Sequence, residues 1–295
     1  MSRIFKVIFF SNLFLFFFNS IIFSKPEQIE PLKIGNLALP SSQQPGPLIG
    51  FGQNMLDKGD LQLFNDTNYL KGENKSYTEI VPSLLYGFTS DFSMYLQLPI
   101  ALKYKENGYV FRGIQQSIIQ FEYSFYNRTT LTELNQISVV ANVALSPSPA
   151  NQNIRRGVGV ENFFLGFTAS HMSHTWYPFI SVGGIISSKE DSKTKYGNQV
   201  LYECGLSKNI SYKEDTYILN WMIEFDGFYK QQNKICGVID PNSGSNTLLL
   251  GPSIWFSSSH FSLQVGFSGV VYEKGLGNQQ NKNKYFLTID MGYKF

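Results

Sequence analysis

The chain has 295 residues, a formal net charge of +2, 16% aromatic residues and only 16% charged residues. A typical soluble domain carries roughly a quarter charged residues. So aromatic a chain is not disordered, and so nearly neutral a one has no general attraction for nucleic-acid phosphates. Two cysteines exclude a disulfide framework and a four-thiolate metal site.

Arg3 and Lys6 precede an apolar stretch over residues 7–23, which ends at Ser24 and the polar run Lys25-Pro26-Glu27-Gln28. This order predicts a secretory signal peptide over residues 1–24. Ser11, Asn12, Asn19 and Ser20 interrupt the stretch, which argues against an anchor helix, since a span needs about 20 apolar residues. Its removal leaves 22 basic against 22 acidic residues. Beyond it no run is long and apolar enough for a membrane helix.

Residues 25–59 carry Pro26, Pro31, Pro40, Pro45 and Pro47, which prevent regular structure. The expectation is a periplasmic segment or a plug folded into a lumen.

From residue 60 onward the hydrophobic period is two. Phe92, Met94, Leu96, Leu98, Ile100 and Leu102 alternate with Ser93, Tyr95, Gln97, Pro99 and Ala101. The same alternation runs through 119–125, 137–145, 217–226, 261–267 and 285–295. Weaker candidates are 60–70, 77–88, 160–170, 176–187, 199–209 and 247–256. Alternate side chains of a strand point to opposite faces. About twelve strands of roughly 9–11 residues each match the length needed to cross a bilayer at a tilt.

Short connections at 89–91, 127–130, 171–175 and 257–260 alternate with longer ones at 146–157, 188–196, 230–246 and 271–283. Outer-membrane barrels sort their loops this way, with tight periplasmic turns and longer external loops. Phe88, Phe92, Tyr126, Trp176, Tyr217, Phe256 and Phe261 flank the short turns, as a girdle would. The final strand ends on Phe295, which resembles the signal read by the bacterial barrel assembly machinery. The fold class expected is all-β: a transmembrane antiparallel β-barrel of about 12 strands over residues 60–295, in the outer membrane of a Gram-negative bacterium.

Four stretches resemble the outer-membrane barrel family labelled "MetA-pathway of phenol degradation" or transporter. They are 113–126 (GIQQSIIQFEYSFY), 138–148 (SVVANVALSPS), 163–171 (FFLGFTASH) and 251–258 (GPSIWFSS). The likeness covers roughly residues 45–295. The family often has an acidic residue soon after the glycine matching Gly113, where Gln115 and Gln116 stand here. It often has a Pro-Thr-Gly turn where Ser146-Pro147-Ser148 stands. The motifs are structural, so the resemblance implies a barrel and, more loosely, passage of small aromatic or hydrophobic solutes.

Parity places Glu79, Gln97, Gln120, Glu122, Asn142, Glu203, Asn220, Glu224, Asp226, Asp290 and Lys294 in the lumen, because charged side chains cannot face lipid cheaply. Tyr95, Phe164, Tyr177, Phe179 and Trp255 share that face. Such a lining either passes solutes or braces a closed barrel. If open, its carboxylates favour cations.

A barrel enzyme needs a nucleophile with a positioned base. His171, His174 and His260 all fall in expected periplasmic turns, so no catalytic residues are assigned. His171 and His174 lack a third metal ligand, and no metal or cofactor is expected. Asp240-Pro241-Asn242-Ser243-Gly244 resembles the start of a calcium loop but lacks its remaining acids; all five are also turn formers. Cys204 points outward from a strand and Cys236 belongs to an external loop, an arrangement that argues against a disulfide. External lysines and arginines, among them Lys71, Lys75, Lys105, Arg155 and Arg156, suit contact with lipopolysaccharide phosphates or the steering of anionic solutes. The expected function is therefore passive passage of small solutes through an outer-membrane channel. The alternative is a closed structural or surface-interaction barrel, and a barrel enzyme comes third.

Overall fold

The computed structural model describes residues 30–106, 109–145, 161–187, 189–190, 194–276 and 282–295. The expected signal peptide lies outside them. Residues from Pro31 to Phe295 form one compact unit.

Twelve antiparallel strands make a closed barrel. They are β1 (Leu61–Gly72), β2 (Lys75–Thr89), β3 (Phe92–Gln97 and Ile100–Glu106), β4 (Tyr109–Ile114 and Ser117–Thr129), β5 (Glu133–Leu145), β6 (Asn162–Ser173), β7 (Trp176–Ser187), β8 (Gln199–Lys213), β9 (Tyr217–Lys230), β10 (Ser245–Ser258), β11 (Phe261–Gly275) and β12 (Asn283–Lys294). Each pairs with its chain neighbours, and β1 also pairs with β12, so the sheet has no open edge to satisfy.

The alternation seen in the sequence is the alternation of the wall. In β9, Ile218, Asn220, Met222, Glu224 and Asp226 are buried inside, while Trp221 and Ile223 are exposed outside. In β7, Tyr177, Phe179 and Ser181 face in, and Ile180 and Val182 stand 61% and 51% exposed on the outer wall. A continuous apolar outer surface of this kind suits lipid rather than water.

Both ends of the barrel sequence and the hairpins at 90–91, 130–132, 174–175, 214–216 and 259–260 lie at one end, the turn end. There Phe88 stacks on Phe92 at 5.6 Å, Phe92 on Phe121 at 6.0 Å, and Tyr217 on Phe256 at 6.4 Å. The opposite, loop end carries a second sheet. It is made of Lys189–Glu190, Thr194–Lys195, Lys234–Ile235 and Val238–Ile239. Cys236 and Gly237, both with positive φ, make the tight hairpin turn of its last two strands.

Four details differ from the sequence reading. The strand expected through Phe92 to Leu102 is broken, because Pro99 has no N–H to give to the ladder. Leu98 N–H instead donates to Pro82 O at 3.0 Å, and Gln115 N–H to Pro99 O at 2.9 Å, which carries the wall across the gap. The piece Tyr109–Ile114 was not expected as strand, since its five residues before Ile114 show no clear alternation. Loop lengths are also not sorted throughout: β1 and β2 are joined at the loop end by only residues 73–74. Finally, His171 belongs to β6 rather than to a turn, where its Nδ1 lies 2.7 Å from Asn135 Oδ1.

Candidate functional site

The barrel interior holds the segment that precedes β1. Two short 3₁₀ turns, Gly35–Leu37 and Ser41–Gln43, lie at the turn end. Asn36 N–H donates to His174 O at 2.9 Å, and Asp215 N–H donates to Ala38 O at 3.1 Å. Both acceptor and donor belong to turn-end hairpins, so the segment skirts the mouth. Gly35 approaches so closely that an added Cβ would sit 1.8 Å from His174 O, and its φ is +59°. Only glycine fits there.

Apolar side chains fill this end. Leu37 packs with Met172, Tyr177, Phe179 and Met222; Ala38 and Leu39 pack with Ile218. Asn220 Nδ2 donates to Asn36 Oδ1 at 2.6 Å and to Ser207 Oγ at 2.9 Å, and Ser257 Oγ donates to Gln43 O at 2.7 Å.

The segment then rises, and its main chain is gripped by three glutamates. Leu48 N–H donates to Glu224 Oε1 at 2.8 Å and Oε2 at 3.0 Å, and Ile49 N–H to Oε2 at 3.3 Å. Phe51 N–H donates to Glu203 Oε2 at 3.2 Å. Gln53 and Asn54 N–H donate to the two oxygens of Glu122 at 2.8 and 2.9 Å. Gly52 and Gln53 both have positive φ, +84° and +60°. That places both in the left-handed region. A non-glycine residue rarely adopts it, and the bonds to Glu122 hold Gln53 there. Ser138 Oγ also donates to Glu122.

Around this grip lie further apolar contacts. Phe51 meets Phe164 edge-on at 4.5 Å and packs with Val140; Leu56 packs with Leu85 and Tyr95. Leu56 N–H donates to Ser93 Oγ at 3.0 Å. The chain enters β1 beside Asp60, which pairs with Lys294.

The remaining residues predicted from parity sort into two groups. Gln120, Glu122, Glu203, Asn220, Glu224 and Asp226 are buried. Asp226 is the cross-strand partner of Glu203, and neither of its carboxyl oxygens has a hydrogen-bond partner. Glu79, Gln97, Asn142 and Asp290 are part-buried. Asn68 and Gln115 donate to Glu79 at 3.0 and 2.8 Å, and Asn142 Nδ2 donates to Gln120 Oε1 at 3.4 Å. Asp290 faces Asp66 directly across the β1–β12 seam. Sequence reasoning missed Ser93, Ser207 and Ser257. Their only signal was small, polar and inward parity, which a solvent-facing serine would share.

Among the described residues no group of three or more His, Cys, Asp or Glu is arranged to hold a metal ion. Asp240–Gly244 is a turn in which Asn242 N–H donates to Asp240 Oδ1 at 3.0 Å. Cys204 and Cys236 are both free and exposed.

No protein-family model matches the chain, and no curated protein matches it. Among solved structures, it is similar to the COG4313 outer membrane channel from Pseudomonas putida F1, at 12% identity and a TM-score of 0.67. The match covers 84% of this chain and 100% of that one. The NanC porin is matched over 79% of this chain and 100% of that one, at 8% identity and a TM-score of 0.49. At 12% identity the first of these establishes a shared fold: a twelve-stranded barrel of the outer-membrane type.

Proposed function

We propose that the protein is an outer-membrane channel of a Gram-negative bacterium, with the turn end in the periplasm and residues 31–59 acting as its plug. The observation that carries this reading is the grip of Glu122, Glu203 and Glu224 on the plug's main chain. Such a grip holds a segment without burying specific side chains at every step. Charge-assisted hydrogen bonds of this kind contribute roughly 1.5–3 kcal/mol each, enough to hold a plug and few enough for it to leave.

The neighbouring structure's description as an outer membrane channel supports the reading. The cargo is a small solute, with aromatic or hydrophobic ones favoured by the resemblance to the phenol-degradation family and by inward Tyr95, Phe164, Phe179 and Trp255. Phe295, whose N–H closes onto Leu61 O at 3.1 Å, is the residue offered to the barrel assembly machinery.

Liposome swelling with solutes of graded size tests passage. Full-length protein is expected to admit little, and protein lacking residues 31–58 to admit small solutes. Absence of swelling in both supports a closed structural barrel instead.

A further inference from the structure

On β1 to β4, near the loop end, the acids turn inward and the bases outward, except Lys75, which faces in opposite Glu106. Asp66, Glu79 and Glu106 turn inward: Asp66 lies opposite Asp290, Glu79 opposite buried Ala101, and Glu106 accepts from the hydroxyl of buried Tyr104. Lys71, Lys103, Lys105 and Arg112 turn outward and are exposed. None of these four makes an ion pair or a side-chain hydrogen bond with the described residues. The register brings them together. Lys71 and Lys105 both face Ser76 of β2, from its two sides, and Lys103 faces Thr78 two residues below. Arg112 stands two residues from Val110, the partner of Lys105, and so beside Lys103. The nearest exposed acid, Glu73, sits at the β1–β2 turn rather than on the wall.

All four lie within a few residues of the strand ends, which in the proposed orientation is where the outer-leaflet headgroups begin. A lysine or arginine on the lipid face is costly at the midplane and nearly free near the interface, so this height is tolerable and an anionic headgroup makes it favourable. Below them the outer wall of β2–β4 is apolar, with Ile80, Leu102 and Ile114, while β1 presents Tyr69 and then Thr67. Lys71 and Lys105 are separated by two interstrand spacings, roughly 10 Å. That is more than one phosphate can bridge, and it suits a headgroup carrying two.

We propose that this face of β1–β4 is a binding site for a bisphosphorylated glucosamine lipid of the outer leaflet, with Lys71 on one phosphate, Lys103, Lys105 and Arg112 on the other, and the acyl chains on the apolar wall beneath. The proposal rests on the outer-membrane orientation given above, and it is independent of whether solutes pass through the lumen.

The test is native mass spectrometry of the full chain in detergent, titrated with bisphosphoryl lipid A, monophosphoryl lipid A or phosphatidylglycerol. Wild-type protein should carry one tightly bound bisphosphoryl lipid A. Monophosphoryl lipid A and phosphatidylglycerol should each bind at least tenfold more weakly. K71Q/K103Q/K105Q/R112Q should lose at least tenfold in affinity for the bisphosphoryl form. The smaller variants K71Q and K103Q/K105Q/R112Q each remove the partner of one phosphate and serve if the quadruple variant does not fold. Equal binding of phosphatidylglycerol, or undiminished binding by the variants, overturns the proposal. A gel comparing boiled and unboiled protein reports separately on the barrel, so loss of the barrel reading and loss of the lipid site are distinguishable.

Discussion

The carboxylate of Glu224, midway along β9, accepts two hydrogen bonds from the main-chain N–H of Leu48 and a third from that of Ile49. A wall residue and a residue 176 positions earlier are thereby joined inside the barrel. Glu203 and Glu122 repeat the arrangement toward β4. The segment before β1 is thus held mainly through its backbone at mid-height and through apolar side chains at the turn end.

Removing the charge from these anchors should loosen the plug without harming the barrel. Glu122→Gln and Glu224→Gln each replace charge-assisted bonds by weaker ones, a loss of about 1–2 kcal/mol. The expected result is faster proteolysis within residues 31–59 in the folded protein, with the heat-induced gel shift unchanged. Protease resistance equal to the wild type would show that the glutamates do not hold the segment.

Gly52 offers a second way to the same end. Its φ of +84° strains any L side chain, and an added Cβ would lie 3.0 Å from both Val140 and Thr168. Gly52→Ala should cost about 1–2 kcal/mol and expose the segment to protease as the glutamate variants do. Gly59→Ala shares the positive φ but meets nothing within 4 Å. It isolates the conformational part of the effect and should be milder.

The register of β9 can be read with a thiol probe in a background lacking Cys204 and Cys236. Cysteine at 224 faces inward beneath Leu48, so a water-soluble reagent should label it slowly in the full chain and quickly once residues 31–58 are removed. Cysteine at 225 faces out and should stay unlabelled in both. A one-residue slip would reverse every assignment in the strand, and labelling at 225 alone would reveal it.

Much of this was legible in the sequence. The period of two placed Glu122, Glu203, Glu224 and Asp226 inside because a charge on the lipid side is costly, and the same parity put Trp221 and Ile223 outside. Proline density marked residues 25–59 as irregular but left their place open, since a backbone N–H bond to a carboxylate leaves no trace in side-chain pattern. The break at Pro99 and the short turn at 73–74 escaped for a related reason. Both depend on how neighbouring strands share hydrogen bonds, which one strand's alternation does not encode.

With the plug removed, Glu122, Glu203, Glu224 and Asp226 would line an aqueous path whose low-dielectric wall focuses their field. Reversal potentials across a salt gradient should then show cation preference. E224Q/D226N should reduce that preference while the barrel still assembles. Unchanged selectivity in the double variant would take these two carboxylates off the conduction path.

Single-channel recording in planar bilayers tests the central claim most directly, comparing the full chain with protein lacking residues 31–58. A channel closed by a plug predicts small or rare openings for the full chain and a larger, steady conductance after the deletion. A deletion protein that runs as a folded barrel on gels yet conducts no better than the full chain would contradict it.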